Sequence, residues 1–165
     1  MTLTSIVVPA FNVAKTLLKT LDSLLAQTFT DFEVIVVDDG STDATPALLK
    51  EYEGILIFKV ITQRNRGLAG ARNTGIDAAR GLYIGFCDAD DLWVPEKLAN
   101  HVAHLESAPH IGVSYSGSAL IDDDGASLGI AQNPSLKNIT AANIFKRNPI
   151  GNGSAPVIRK AVFDA

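Results

Sequence analysis

The chain has 165 residues, a length that suits one domain burying roughly 70% of its unfolded surface and leaves no room for two. Fourteen Lys and Arg against eighteen Asp and Glu leave a net charge of −4, which excludes the basic footprint of a nucleic-acid binder. A composition 47% hydrophobic and 19% charged excludes intrinsic disorder, no apolar run approaches the roughly 18 residues of a transmembrane span, and one Cys excludes a disulfide framework or cysteine-built zinc site. No charged-then-apolar leader opens the chain, so the expected compartment is the reducing cytoplasm.

The hydrophobic period switches repeatedly between strand-like runs and helical spacing. Ser5–Pro9 reads as a short buried strand, after which Ala14, Leu17, Leu18, Leu21, Leu24 and Leu25 share one helical face. Phe32–Asp38 is a second strand rich in Val and Ile, and Gly40-Ser41-Thr42 supplies a turn and N-cap hydroxyls for a helix running through Tyr52. A third strand is expected at Leu56–Thr62, then a helix of small residues at Gly67–Ala79 closed by Gly81. Leu82–Cys87, Pro95–Ser107 and Gly112–Ser116 follow as strand, helix and strand. Successive strand–helix repeats imply a parallel sheet covered on both faces. Beyond Leu120 the pattern changes to a hairpin turning at Asp122-Asp123-Asp124-Gly125, a short helix at Thr140–Asn148 and a strand at Ala155–Arg159.

Acidic residues collect just past strand ends, where open parallel sheets bind ligands: Asp38-Asp39 after the second strand, and Asp88-Ala89-Asp90-Asp91 after the fourth. In an extended tail Asp88 and Asp90 project to one side, so the two carboxylates can share a hard divalent cation. Three site types use such an arrangement. A phospho-acceptor receiver needs a Lys at the end of its last strand, and none follows Gly112–Ser116. A haloacid-dehalogenase-like phosphatase carries its Asp-x-Asp on the first strand, whereas here it follows the fourth. A nucleotide-sugar glycosyltransferase uses Asp-x-Asp to hold a metal on a diphosphate.

Four segments carry a resemblance that accounts for the remaining motifs: S-I-V-V-P-A-F-N at Ser5–Asn12, F-E-V-I-V-V-D-D-G-S-T-D at Phe32–Asp43, N-R-G-L-A-G-A-R-N-T-G at Asn65–Gly75, and Y-I-G-F-C-D-A-D-D-L-W at Tyr83–Trp93. In this order and spacing the chain resembles the family 2 glycosyltransferases of the GT-A fold. Q-T-F-T-D-F-E at Gln27–Glu33 and G-N-G-S at Gly151–Ser154 extend the likeness over nearly the whole length. The resemblance implies a single GT-A α/β domain, a Rossmann-like sandwich with a mainly parallel central sheet. Its nucleotide-binding half would span 1–120, and 121–165 would begin an acceptor-binding half.

The resemblance further implies a nucleotide-binding set of Pro9, Phe11, Asp39, Asn65, Arg72 and Asp88. Pro9 and Phe11 match the base cradle, although Phe11 could instead be a core residue. Asp39 matches the acid that accepts a base N–H, which favours uracil or thymine, and Asp38 supports the turn. Asn65 and Arg72 match positions near the base and diphosphate, with a solvated helix position as the plainer reading of Arg72. Asp90 matches the direct ligand of Mn²⁺ or Mg²⁺, and Asp88 a contact to the ribose or a metal-bound water.

The implied reaction is inverting transfer of a sugar from a nucleoside diphosphate sugar to an acceptor hydroxyl of a glycan, lipid carrier or protein. Work at the inner face of the membrane in cell-envelope polysaccharide synthesis goes with it. The general base is expected beyond Ala165, with Asp91 a weak substitute, so the chain would bind donor without full turnover and could self-associate through exposed acceptor-half surface. A non-catalytic nucleotide-sugar-binding module is the alternative, and the phosphatase stands third. His101 and His104 read as a solvated helix face, and Cys87 as a small buried hydrophobe.

Overall fold

The computed structural model describes residues 3–52, 54–55, 57–122, 124–135, 137, 139–140, 142 and 148–164. Strands β1 (Thr4–Ala10) and β2 (Phe32–Asp38) are buried along their whole length, as largely apolar strands covered on both faces of a parallel sheet are. Helix α1 (Leu17–Leu25) lies between them in sequence, and α2 (Thr45–Leu49) follows β2. Next come β3 (Phe58–Thr62), α3 (Gly67–Ala78), β4 (Tyr83–Phe86), α4 (Lys97–Ser107) and β5 (Val113–Tyr115). A hairpin of β6 (Ser118–Ile121) and β7 (Ser127–Gln132) stands apart as its own sheet, and β8 (Pro156–Arg159) returns to the main one.

The central sheet has the order β3-β2-β1-β4-β8-β5. β1, β2, β3 and β4 pair in parallel, and their side chains alternate between two cores with the period of two that a pleated strand dictates. Ile6, Val8, Val34 and Val36 face α1 and α4, meeting Leu17, Leu21, Leu98 and Leu105. Val7, Ile35 and Val37 face the opposite layer with Ala71 of α3. Each such aliphatic side chain, fully withdrawn from water, contributes about 1.5–3 kcal/mol. Helix α3 approaches β1 so closely that a Cβ on Gly75 would come within 2.2 Å of a Val7 methyl, which is why that helix is built from small residues.

Several expectations are corrected. The helix after β2 is shorter than read: it starts at Thr45 and tightens into a 3-10 turn over Lys50–Tyr52. Neither Ser41 nor Thr42 caps it; instead the Asp43 carboxylate accepts the Thr45 N–H at 2.9 Å. Leu25 is exposed rather than on the packed face of α1. The strand after α4 does not join β4 directly, because β8 inserts between them and runs antiparallel to both. The helix expected at Thr140–Asn148 falls largely outside the described residues.

The chain runs outward from β1 to β2 to β3, then returns to the other side of β1 as β4. That reversal leaves a crevice at the carboxyl ends of β1 and β4, the place where open α/β sheets bind ligands. Register aligns the ends: Ala10 pairs with Asp38, and Asp38 with Thr62. Phe11, Asp39 and Gln63 therefore leave the sheet side by side.

Candidate functional site

A cleft of about 360 Å³ occupies this crevice. Pro9, Phe11, Asp39, Asn65, Asp88 and Asp90 all line it, so residues spread over more than eighty positions of sequence share one wall. Phe11 is 48% exposed, which settles its two readings in favour of a surface aromatic over a core residue. The loops around it are tied down. Asn12 takes a left-handed conformation, with φ of 54°, and its side-chain oxygen accepts the Thr42 N–H at 2.8 Å. Its own N–H donates to Ser41 Oγ at 3.0 Å, stitching the loop after β1 to the loop after β2.

Asp38 and Asp39 are both buried but have different partners. Asp38 accepts the Ser41 N–H at 2.9 Å and so holds the turn, as expected. Asp39 accepts Gln63 Nε2 at 2.6 Å and the Arg66 N–H at 2.9 Å, both on Oδ1. Asn65 Oδ1 accepts the Gly67 N–H at 3.2 Å at the entry to α3.

Arg72 is not a solvated helix residue. Its guanidinium pairs with Asp88 Oδ1 at 2.7 Å and lies 5.6 Å from the Phe86 ring centroid. Gly153 closes over this pair: a Cβ there would sit 2.1 Å from Arg72 Nη2 and 3.1 Å from Asp88 Oδ2. The next residue, Ser154, accepts the Asp88 N–H at 2.9 Å and hydrogen-bonds the Asp91 carboxyl. Thr16 donates to the Ala89 carbonyl at 2.7 Å. The acidic loop is thus anchored on both sides of Asp90, which is itself exposed.

Asp91 behaves differently from its neighbours, for it is half-buried and does not line the cleft. Burial pushes its carboxyl up, the Ser154 hydrogen bond works against that, and the charges of Asp90 and Asp88 add to the rise. Cys87 is fully buried, as read, and burial pushes its thiol up as well.

The solvated-face reading of His101 is overturned, since the ring is only 4% exposed. Lys97 Nζ lies 3.4 Å from His101 Nε2, 3.2 Å from Ser116 Oγ and 3.1 Å from the Ala155 carbonyl. An ammonium only donates, so the neutral imidazole accepts at Nε2 and donates from Nδ1 to Ser114 Oγ at 2.8 Å. His104 remains exposed, and its Nδ1 meets the same hydroxyl at 2.9 Å. Apolar spacing could not reveal this, because a His facing a polar pocket between α4 and β5 has the same period as one facing water.

Burial lowers Lys97 to about 8. It also lowers His101, with help from the Lys97 charge, from 6.5 to about 4. The unfolded chain therefore takes up a proton near pH 6.5 that the folded chain refuses until about pH 4, so stability falls with pH across that window and levels off below it. The expected loss is up to about 3 kcal/mol. Urea denaturation at pH 7, 5.5 and 4 measures it; a His101→Gln chain with an equally steep profile would refute the assignment.

The chain matches the family model for glycosyl transferase family 2 over residues 5–165. This chain belongs to that family. It is 35% identical to the UDP-Glc:alpha-D-GlcNAc-diphosphoundecaprenol beta-1,3-glucosyltransferase WfaP of Escherichia coli over 97% of this chain and 67% of that protein. It is 38% identical to the amylovoran biosynthesis glycosyltransferase AmsB of Erwinia amylovora over 72% of this chain and 42% of the relative. The family 2 chain also superimposes on S. aureus TarS 1-349 in complex with UDP-GlcNAc, with a TM-score of 0.78 and 27% identity over 98% of this chain and 46% of that one. A mannosyltransferase from Pyrobaculum calidifontis, solved with GDP-Man and Mn²⁺, gives a TM-score of 0.72 at 25% identity over 98% of this chain and 45% of that one. The fold is GT-A, and the chain spans from about a sixth to two thirds of the length of the curated relatives it matches. No helix among the described residues is long and apolar enough to cross a membrane.

Proposed function

We propose that these residues form the donor site of an inverting glycosyltransferase that takes its sugar from a UDP- or dTDP-sugar and delivers it to an acceptor hydroxyl. The observation that carries this reading is one cleft lined at once by an exposed aromatic ring, a buried carboxylate and two further carboxylates on an anchored loop. Phe11 and Pro9 would cradle the base, and Asp39 would accept its ring N–H. Asn65 lies on the same wall, toward the base and diphosphate. Arg72 would turn part of its planar fork to the diphosphate, since a guanidinium can serve Asp88 and a phosphate oxygen together.

The donors fit a hard divalent cation. Asp88 and Asp90 offer only oxygen, no group of three or more His, Cys, Asp or Glu gathers into a self-sufficient metal site among the described residues, and a diphosphate with water would complete the shell. Asp90 would hold Mn²⁺ or Mg²⁺ directly, and Asp88 would act through the ribose or a metal-bound water. Such an ion supplies Lewis-acid stabilisation of the leaving diphosphate. The chain's own contribution is to hold the leaving group still: Thr16, Ser154 and Arg72 anchor the carboxylates before the donor arrives, so little ordering remains to be done on binding. No general base is assigned among the described residues, because Asp91 lies outside the cleft.

Homologues named for lipid-linked and polysaccharide products support an acceptor on a lipid carrier or growing glycan, handled at the inner face of the membrane in envelope polysaccharide synthesis. Calorimetric titration with UDP, with and without Mn²⁺, tests the donor site. Binding that needs the metal is expected. Tighter binding of GDP than UDP would overturn the pyrimidine assignment, and indifference to Mn²⁺ the metal one.

A further inference from the structure

Resting on the base-recognition reading above, we infer that Gln63 is a specificity-determining positioning residue that acts through Asp39 to select bases carrying a ring N–H. Gln63 directly follows β3, and its N–H donates to the Asp38 carbonyl at 2.9 Å, which places its side chain beside Asp39 at the carboxyl edge of the sheet. Its amide nitrogen lies 2.6 Å from Asp39 Oδ1, and its amide oxygen lies 2.7 Å from Thr74 Oγ1 of α3.

The directions of these bonds follow from the carboxylate outward. A carboxylate only accepts, so the amide must present its NH₂ to Asp39. Its oxygen then faces Thr74, and the threonine hydroxyl must donate. Flipping the amide would set its oxygen against the Asp39 carboxylate, acceptor against acceptor. The Arg66 N–H adds a second donor to the same Oδ1 at 2.9 Å. Asp39 is buried and lines the cleft, so with Oδ1 engaged twice the remaining lone pairs meet the incoming base.

Uracil and thymine bring a ring N–H to that carboxylate. Cytosine brings an unprotonated ring nitrogen, and acceptor faces acceptor. A carboxylate free to rotate could evade this by taking the exocyclic amine of cytosine. The Thr74–Gln63–Asp39 chain forbids that rotation, which turns a general acceptor into a discriminating one.

The test is calorimetric titration of the 165-residue chain with UDP and with CDP at fixed Mn²⁺, with thermal melting to confirm folding. Wild type is expected to prefer UDP by a factor of about 30 or more, the scale of a buried hydrogen-bond mismatch. In Gln63→Met, UDP affinity falls about ten-fold and the preference shrinks to within about three-fold of parity. Thr74→Val, which unlocks the amide and also removes the acceptor of an exposed 3.4 Å bond from Arg66, lowers the preference part of the way, while Thr74→Ser restores it. If Gln63→Met melts too low to titrate, the Thr74→Val and Thr74→Ser pair decides. A wild type that selects UDP, with variants that keep both UDP affinity and the UDP-to-CDP ratio, overturns the role of Gln63 and leaves the donor site standing. A wild type that binds no nucleotide with Mn²⁺ takes down both.

Discussion

Asp90→Asn is expected to abolish the Mn²⁺ dependence of UDP binding and to weaken binding in the presence of the metal by about a hundred-fold or more, equivalent to roughly 2.7 kcal/mol. The size follows from where the residue sits. Asp90 is exposed on the cleft wall, so it contributes no burial energy. The flanking Ala89 carbonyl is held by Thr16 at 2.7 Å and the flanking Asp91 by Ser154, so the carboxylate is presented without ordering cost. Asparagine keeps the shape and loses the charge that a hard cation requires. Melting temperature should stay within the range of an ordinary surface substitution, about 0.5 kcal/mol. Calorimetry with Mn²⁺ and again with chelator reads the effect; wild-type affinity in the Asn chain would show that the ion is held elsewhere.

Gly153→Ala probes the other half of the same site. The added Cβ would lie 2.1 Å from Arg72 Nη2, so the guanidinium must leave Asp88 Oδ1. What yields is the far end of a long, flexible side chain rather than backbone, and folding should survive. The site should not. With Arg72 displaced, Asp88 loses its partner and the diphosphate loses the planar fork, and removing a charge-assisted pair of this kind costs about 1.5–3 kcal/mol, or roughly ten- to a hundred-fold in UDP affinity. A chain that melts like wild type but binds UDP weakly is the expected outcome. Unchanged affinity would show that the Arg72–Asp88 contact plays no part in holding the donor.

Three of the four motif segments carried the fold because each couples a buried, largely apolar strand to the polar residues at its carboxyl end, while the fourth, Asn65–Gly75, opens helix α3. Parallel strands buried on both faces cannot alternate, so Ile6 to Val8 and Val34 to Val37 are legible as strands without knowing their neighbours. The loops after them are legible as ligand-facing for the same reason. Asp39, Asp88 and Asp90 stand at such ends, and all three line the cleft. Gln63 occupies the corresponding position after β3, so the rule that strand ends carry function could have singled it out. An uncharged amide there carries no local signal of its own, because its role depends on the carboxylate that the fold sets beside it.

By itself the sequence determined the order of the elements, the parallel core of the sheet and which acidic residues stand at its carboxyl edge, since these depend on local periodicity and on side chains a few positions apart. Only the tertiary structure decided who partners whom. Arg72 pairs with Asp88 across sixteen positions, Ser154 reaches Asp88 across sixty-six, and β8 slips between β4 and β5 from the far end of the chain. His101 is buried rather than solvated because Lys97, Ser114 and the carbonyl of Ala155 build a polar pocket around α4. Hydrogen bonds and ion pairs are satisfied by whichever group the fold brings within about 3 Å, and that proximity is a property of packing that no local pattern encodes.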